Sequence, residues 1–256
     1  MRHSIYSPSL QAIGAFDGGK ITEQKPIGFP GEGSAVKRVG PLFYWAWAKS
    51  NQAGHIPSHP HSAFEIMTYV VAGQAEHGDS LGTRSVVGPG GAQVMQTGSG
   101  VYHEERFIGP QMEGFQIWFE PHLEVTFKQT PTYHQYDHED FPLVEGDGFL
   151  CKTVIGEGAP VQLVADARMW DVTVKKDGTY VHPVEKGRVL AALAIRGGGS
   201  WLDSHGVAAK QAEKDFAVLY ADESTEWKLQ ANATADLRII VIDVPEKVDY
   251  PLYPMR

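Results

Sequence analysis

From residue 42 onward the chain is a succession of short apolar runs, rich in β-branched and aromatic residues and bounded by Gly or Pro. Residues 64–71 (FEIMTYVV), 85–87, 92–96 and 115–120 (FQIWFE) have this form, which suits the pleated, half-buried surface of a strand. Asp79-Ser80-Leu81-Gly82 and Gly88-Pro89-Gly90-Gly91 supply turn chemistry between them, so the pattern predicts a meander with tight connections. Phe43, Trp45 and Trp47 alternate toward one face, as do Phe115, Ile117 and Phe119, and such rows ordinarily form core. A second series at 161–164, 169–174, 190–195, 216–220 and 237–243 repeats the texture without an identical motif, as a diverged duplication would. Residues 131–147 are polar and lack an apolar period, which predicts a linker between an N-terminal domain over 1–130 and a C-terminal domain over 148–256. Residues 14–40, rich in Gly, Pro and Lys, predict an extended arm with loops, and the one helix expected is a short one within 208–215. The fold class is therefore all-β, a barrel or sandwich in each half.

A length of 256 residues allows each half its own core, and 28 Gly with 16 Pro agree with many tight turns. The formal net charge of −9, without any long basic run, disfavours direct nucleic-acid binding, because a phosphate backbone calls for a clustered positive face. A single cysteine, Cys151, excludes an internal disulfide framework and a Cys-rich zinc site, and its place in a strand-like run predicts a small buried hydrophobe. The first residues lead into no apolar leader segment, and no stretch approaches the ~20 apolar residues of a membrane-spanning helix. The expectation is a cytosolic protein with no membrane contact.

The chemistry concentrates in two short motifs. In His59-Pro60-His61, residues i and i+2 of a strand project from one face, so both imidazoles can reach one centre. His103-Glu104-Glu105 repeats the geometry, with His103 and Glu105 on one face and Glu104 on the other. On neighbouring strands the two pairs make a three-nitrogen, one-oxygen ligand set that leaves an octahedral ion positions for water, O2 or substrate. Glu65 and Glu104 compete with Glu105 for the carboxylate position. Met67, Met95 and Tyr102 stand open between core and the wall of a cavity above the ion. His134 and His138 lie in the polar segment and read as solvated, whereas His182, Glu185 and His205 in the second half show no paired ligand spacing.

The order HPHSAFEIMTYVVAG, AEHGDSLG, the Gly-Pro-Gly turn, MQTGSGVYHEE and GFQIWFEP resembles the pirin family, and GFLCKTVIGEGAP and GTYVHPVEKGRVL resemble its second half. The likeness covers most of residues 36–243. It implies two stacked cupin barrels, with metal in the N-terminal barrel and none in the C-terminal one. It also implies that His59, His61, His103 and Glu105 bind the ion. Glu65, at the position where cupins in general place their carboxylate ligand, then becomes a hydrogen-bonding support. Ser62 stands where pirins usually carry Arg. The implied cofactor is one divalent transition metal, Fe(II) foremost, with Mn, Ni, Cu or Zn as alternatives.

Two functions follow from the resemblance. One is a quercetin 2,3-dioxygenase-like oxygenase that takes a small aromatic substrate and O2, with Glu105 accepting a proton from the substrate hydroxyl. The other is a non-catalytic iron or redox sensor that binds a transcriptional or metabolic protein partner.

Overall fold

A computed structural model of the chain describes residues 2–204 and 206–254. The strands β1 (His3–Tyr6), β2 (Ala12–Phe16), β3 (Ile21–Ile27), β4 (Leu42–Ser50), β5 (Gly54–His61), β6 (Glu65–Asp79), β7 (Arg84–Val87), β8 (Ala92–Gln96), β9 (Val101–Phe119) and β10 (Thr132–Tyr136) come first. A one-turn helix, α1 (Leu123–Thr126), separates the last two. There follow β11 (Leu143–Gly146), β12 (Phe149–Ile155), β13 (Arg168–Val174), β14 (Thr179–Val184) and β15 (Arg188–Arg196). The last are β16 (Gly199–Asp203), β17 (Gly206–Gln211), β18 (Phe216–Tyr220), β19 (Thr225–Ala231) and β20 (Leu237–Pro245). No helix of the described residues is long and apolar enough to cross a membrane.

The chain forms two compact units, one of Gln11–Asp140, Val161–Ala165 and Asp249–Arg256, the other of Met1–Leu10, Phe141–Pro160 and Asp166–Val248. The changeover after residue 140 falls inside the segment expected to be a linker. The two termini depart from a simple N-half and C-half division, each joining the unit built mainly from the other half of the chain. Residues 131–147 are themselves structured: β10 pairs with β8 and β11 with β12. The expected arm likewise contains most of β2 and all of β3, which pair with each other. The expected helix within 208–215 is replaced by β17, whose Lys210 and Gln211 pair with Ser200 and Gly199 of β16. Neighbouring strand edges there offer hydrogen bonds that outweigh a weak local helix preference.

In the first unit the sheet runs β10-β8-β6-β9-β4-β3-β2, with β5 also on β9 and β7 on β6. The 19-residue β9 is its spine: its C-terminal half lies between β4 and β6, and its N-terminal half between β5 and β6. Trp45 and Trp47 pack on Phe115 with ring centroids 6.0 and 6.1 Å apart, and all three are buried. Phe43 leaves this row. A register shift between Leu42 and Tyr44 turns it to the other face, where it meets Phe64 and Trp118.

The second unit has a seven-stranded sheet, β1-β18-β15-β20-β13-β12-β11, and a four-stranded one, β14-β19-β16-β17. Their apolar faces form a core around Trp201, Trp227, Leu190, Leu219 and Ile239. Cys151 is buried in that core as a free thiol, 3.5 Å from the Tyr180 hydroxyl. Arg188 on β15 donates to Asp243 on β20 at 2.6 Å and to Asp166 at 2.7 Å, which pairs a buried cation with two carboxylates.

Candidate metal centre

Strand pairing brings the two sequence motifs together. On β5 and β9, His59 lies opposite His103 and His61 opposite Val101, with a register shift between Ile56 and His59 that turns the histidines inward. The ligand nitrogens of His59, His61 and His103 all lie within 4.8 Å of one another, and among the described residues this is the group with metal-ligating spacing. His59 Nε2 and His103 Nε2 are 3.0 Å apart. Two nitrogens about 2.1 Å from a shared ion and at right angles to it are separated by roughly that distance.

The tautomers favour a cation. His59 Nδ1 donates to the Pro57 carbonyl at 2.8 Å, so in the neutral ring Nε2 carries the lone pair. His61 Nε2 and His103 Nδ1 are buried without hydrogen-bond partners. Burial first, and then the neighbouring His103 and His59, lower the His61 imidazole to a pKa of about 3. His103 is lowered to about 3 by burial first and then by His59 and His77. Three imidazoles at a shared point, two of them with a buried nitrogen that lacks a partner, form a donor set suited to a divalent transition metal.

Glu105 lies outside the group drawn within 4.8 Å. Its carboxylate is buried and held from behind: Gln116 Nε2 donates to Oε2 at 2.6 Å and Thr68 Oγ1 to Oε1 at 3.3 Å. It is still near enough for its charge to favour protonation of His61, against the larger effects of burial and the other imidazoles. Glu104 points outward, bonded to His55 at 3.1 Å and to Arg84 at 3.3 Å.

Glu65, expected as a competing carboxylate or a hydrogen-bonding support, has its carboxylate engaged by other groups. Its carboxylate accepts from Gln96 Nε2 at 2.7 Å and from the backbone N–H groups of Val164 and Ala165 at 2.7 and 2.9 Å. Burial raises its pKa, and these donors offset part of the rise. Alternation along β6 sets Glu65 and Met67 on the face opposite Thr68, so Glu65 anchors residues 161–165 and Met67 is core. Tyr102, one residue from His103, is 56% exposed on the outer face. Met95, in contrast, clusters with Ile66, Val101, Trp118 and Tyr133 on the face that carries the site.

Four residues complete the surroundings that the motifs did not reveal: Thr68, His77, Gln116 and Trp118. His77 pairs opposite Glu105 on β6, stacks on Tyr133 at 4.3 Å and lies 5.5 Å from the His103 ring. Its Nε2 donates to Asp79 at 3.0 Å. Burial opposes ionisation of Asp79, yet hydrogen bonds from His77, Thr83 and Leu81 hold its carboxyl below the usual range. Trp118 meets His61 edge-on at 4.7 Å, and its Nε1 donates to Gln116 Oε1 at 3.1 Å. The register of β9 against β6 slips twice between Val70 and Gln74, so Gln116 and Trp118 return to the face of His103 and Glu105 with the opposite number parity. In the second unit, His182 Nδ1 bonds the Tyr180 hydroxyl at 3.1 Å within the core, and His205 lies outside the described residues.

The family model described as Pirin matches residues 40–119, which contain both motifs. A pirin-like protein of Caulobacter vibrioides is 34% identical over 156 residues, 57% of this chain and 55% of its own length. A Pseudomonas aeruginosa protein provisionally named quercetin 2,3-dioxygenase is 30% identical over 209 residues, 80% of this chain and 84% of that protein. Among solved structures, the Escherichia coli bacterial pirin in complex with nickel(II) aligns with a TM-score of 0.78 at 22% identity, covering 95% of this chain and 99% of that one. The fold is therefore that of two cupin β-barrels. The strands that carry the two motifs fall within the matched region, and the relatives extend the likeness over most of the chain: it belongs to the pirin family.

Proposed function

We propose that this chain is a metal-dependent dioxygenase that opens a small aromatic substrate with O2, flavonols such as quercetin being the class that its relatives' names point to. In this reading His59, His61 and His103 hold one divalent transition ion, Fe(II) foremost, and Glu105 completes the set. The observation that carries it is the convergence of three imidazoles, two of them with a buried nitrogen that has no partner. A bound ion supplies a Lewis-acid centre and a redox couple for O2 chemistry.

The chain's own residues support the remaining roles. Glu105, buried and fixed by Gln116 and Thr68, is suited to accept a proton from a substrate hydroxyl, a task in which a positioned carboxylate acts as general base. Trp118 sets an indole edge against His61 and orients a flat ring beside the centre. Ile66, Met95 and Val101 form an apolar wall that limits water. The test is oxygen uptake with quercetin by metal-loaded protein, compared with His61→Ala. The expected result is a loss of uptake in the variant; equal rates contradict the proposal.

A further inference from the structure

We infer that the aromatic cleft on the Phe29 side of Trp118 is a binding site for a flat, uncharged aromatic molecule. Its catalytic meaning rests on the dioxygenase reading above, whereas the binding itself does not. The cleft encloses about 460 Å³ and is lined by Phe29, Phe43, Phe64, Trp118 and Tyr253 with two prolines. That volume falls within the roughly 300–1,000 Å³ of small-molecule sites. No lining residue carries a charged side chain. The neighbouring Arg38, whose guanidinium lies 5.5 Å from the Phe43 ring, is neutralised by the fully buried Glu120 at 2.6 Å.

The lining rings stand at tilted and edge-on angles to one another. Phe43 and Phe64 are tilted at 4.7 Å, and Trp118 meets Phe29 edge-on at 5.4 Å and Phe43 edge-on at 5.9 Å. Such walls favour offset or edge contacts with an inserted π-system. Trp118 offers the cleft only its ring surface, because its N–H is already committed to Gln116. The fourth wall comes from the tail: the Tyr253 carbonyl accepts from Arg38 at 3.2 Å, its N–H donates to Glu120, and Tyr250 donates to the Glu120 carbonyl at 2.7 Å. Tyr253 is thus held in place while the residue is 59% exposed.

Trp118 is shared by the cleft and the metal cluster. It touches His61 at 4.7 Å, and the line Trp118 to Gln116 to Glu105 consists of two hydrogen bonds, 3.1 and 2.6 Å long. A molecule resting against Trp118 therefore bears on the residue that touches His61 and, through Gln116, on the group that positions Glu105.

The experiment is equilibrium dialysis of flavone, which lacks the 3-hydroxyl needed to coordinate a metal, against the full chain as purified and after chelator treatment. Saturable binding of equal strength in both is expected, weakened at least about tenfold by Phe64→Ser and by Tyr253→Ser. The exposed, tail-borne Tyr253 keeps the test open even where Phe64→Ser impairs folding. Absence of saturable binding, or unchanged affinity in Tyr253→Ser, overturns the inference. Flavone binding without oxygen uptake on quercetin leaves the cleft standing and removes the dioxygenase reading; uptake without flavone binding does the reverse.

Discussion

His59 and His103 face each other across the β5–β9 pair with their Nε2 atoms 3.0 Å apart. Two imidazoles gain little from each other at that distance unless one donates a proton or a cation lies between them. The Pro57 carbonyl fixes the His59 tautomer so that its Nε2 is an acceptor. The unpartnered Nε2 of His61 beside them makes the cation the better account.

Gln116 determines how Glu105 is presented. Gln116→Leu keeps approximate volume but removes the 2.6 Å donor to Glu105 and the acceptor for Trp118. Partners of this kind typically contribute about 10- to 100-fold in metal affinity. Chelator competition on the folded variant is expected to show a loss of that size. Unchanged affinity would mean that Glu105 needs no support, or takes no part.

Glu65 is a structural anchor. Glu65→Ala removes an acceptor shared by Gln96, Val164 and Ala165, and each buried donor left unpaired costs about 1–3 kcal/mol. Chemical denaturation is expected to show a loss of about 3 kcal/mol or more, with metal stoichiometry preserved in the folded fraction. Loss of metal without loss of stability would return Glu65 to the site.

His182 predicts a pH dependence in the second unit. Burial lowers its pKa to about 4, below the unfolded value near 6.5, so the unfolded chain binds this proton first as pH falls. The stability linked to His182 is fully present above about pH 6.5 and declines between there and pH 4, by roughly 3 kcal/mol in all. Denaturation midpoints at pH 7 and pH 5 should differ less in His182→Phe than in wild type. An identical difference in both proteins would exclude His182 as the source.

The fold class and the site differ in how far the sequence reveals them. The i, i+2 spacing in His59-Pro60-His61 needs only strand geometry to place two imidazoles on one face, and pairing with β9 supplies the third. Alternation fails across irregularities. Phe43 leaves the row of Trp45 and Trp47 at one register shift, and Gln116 and Trp118 join the face of Glu105 through two others. Nothing local in GFQIWFE encodes that change of phase. Residues 132–136 (TYHQY) look like a linker because their burial comes from pairing with β8, a partner distant in sequence. Glu65 matches the cupin ligand position by spacing, yet the direction of its side chain follows from β6 register, which motif order does not carry.

The most direct test of the account is the metal content of the purified full chain, measured by plasma mass spectrometry alongside His61→Ala and His103→Ala, with circular dichroism to confirm folding. The account predicts close to one divalent transition metal ion per wild-type chain and little or none in either folded variant. Full metal content in a folded His103→Ala protein would contradict it.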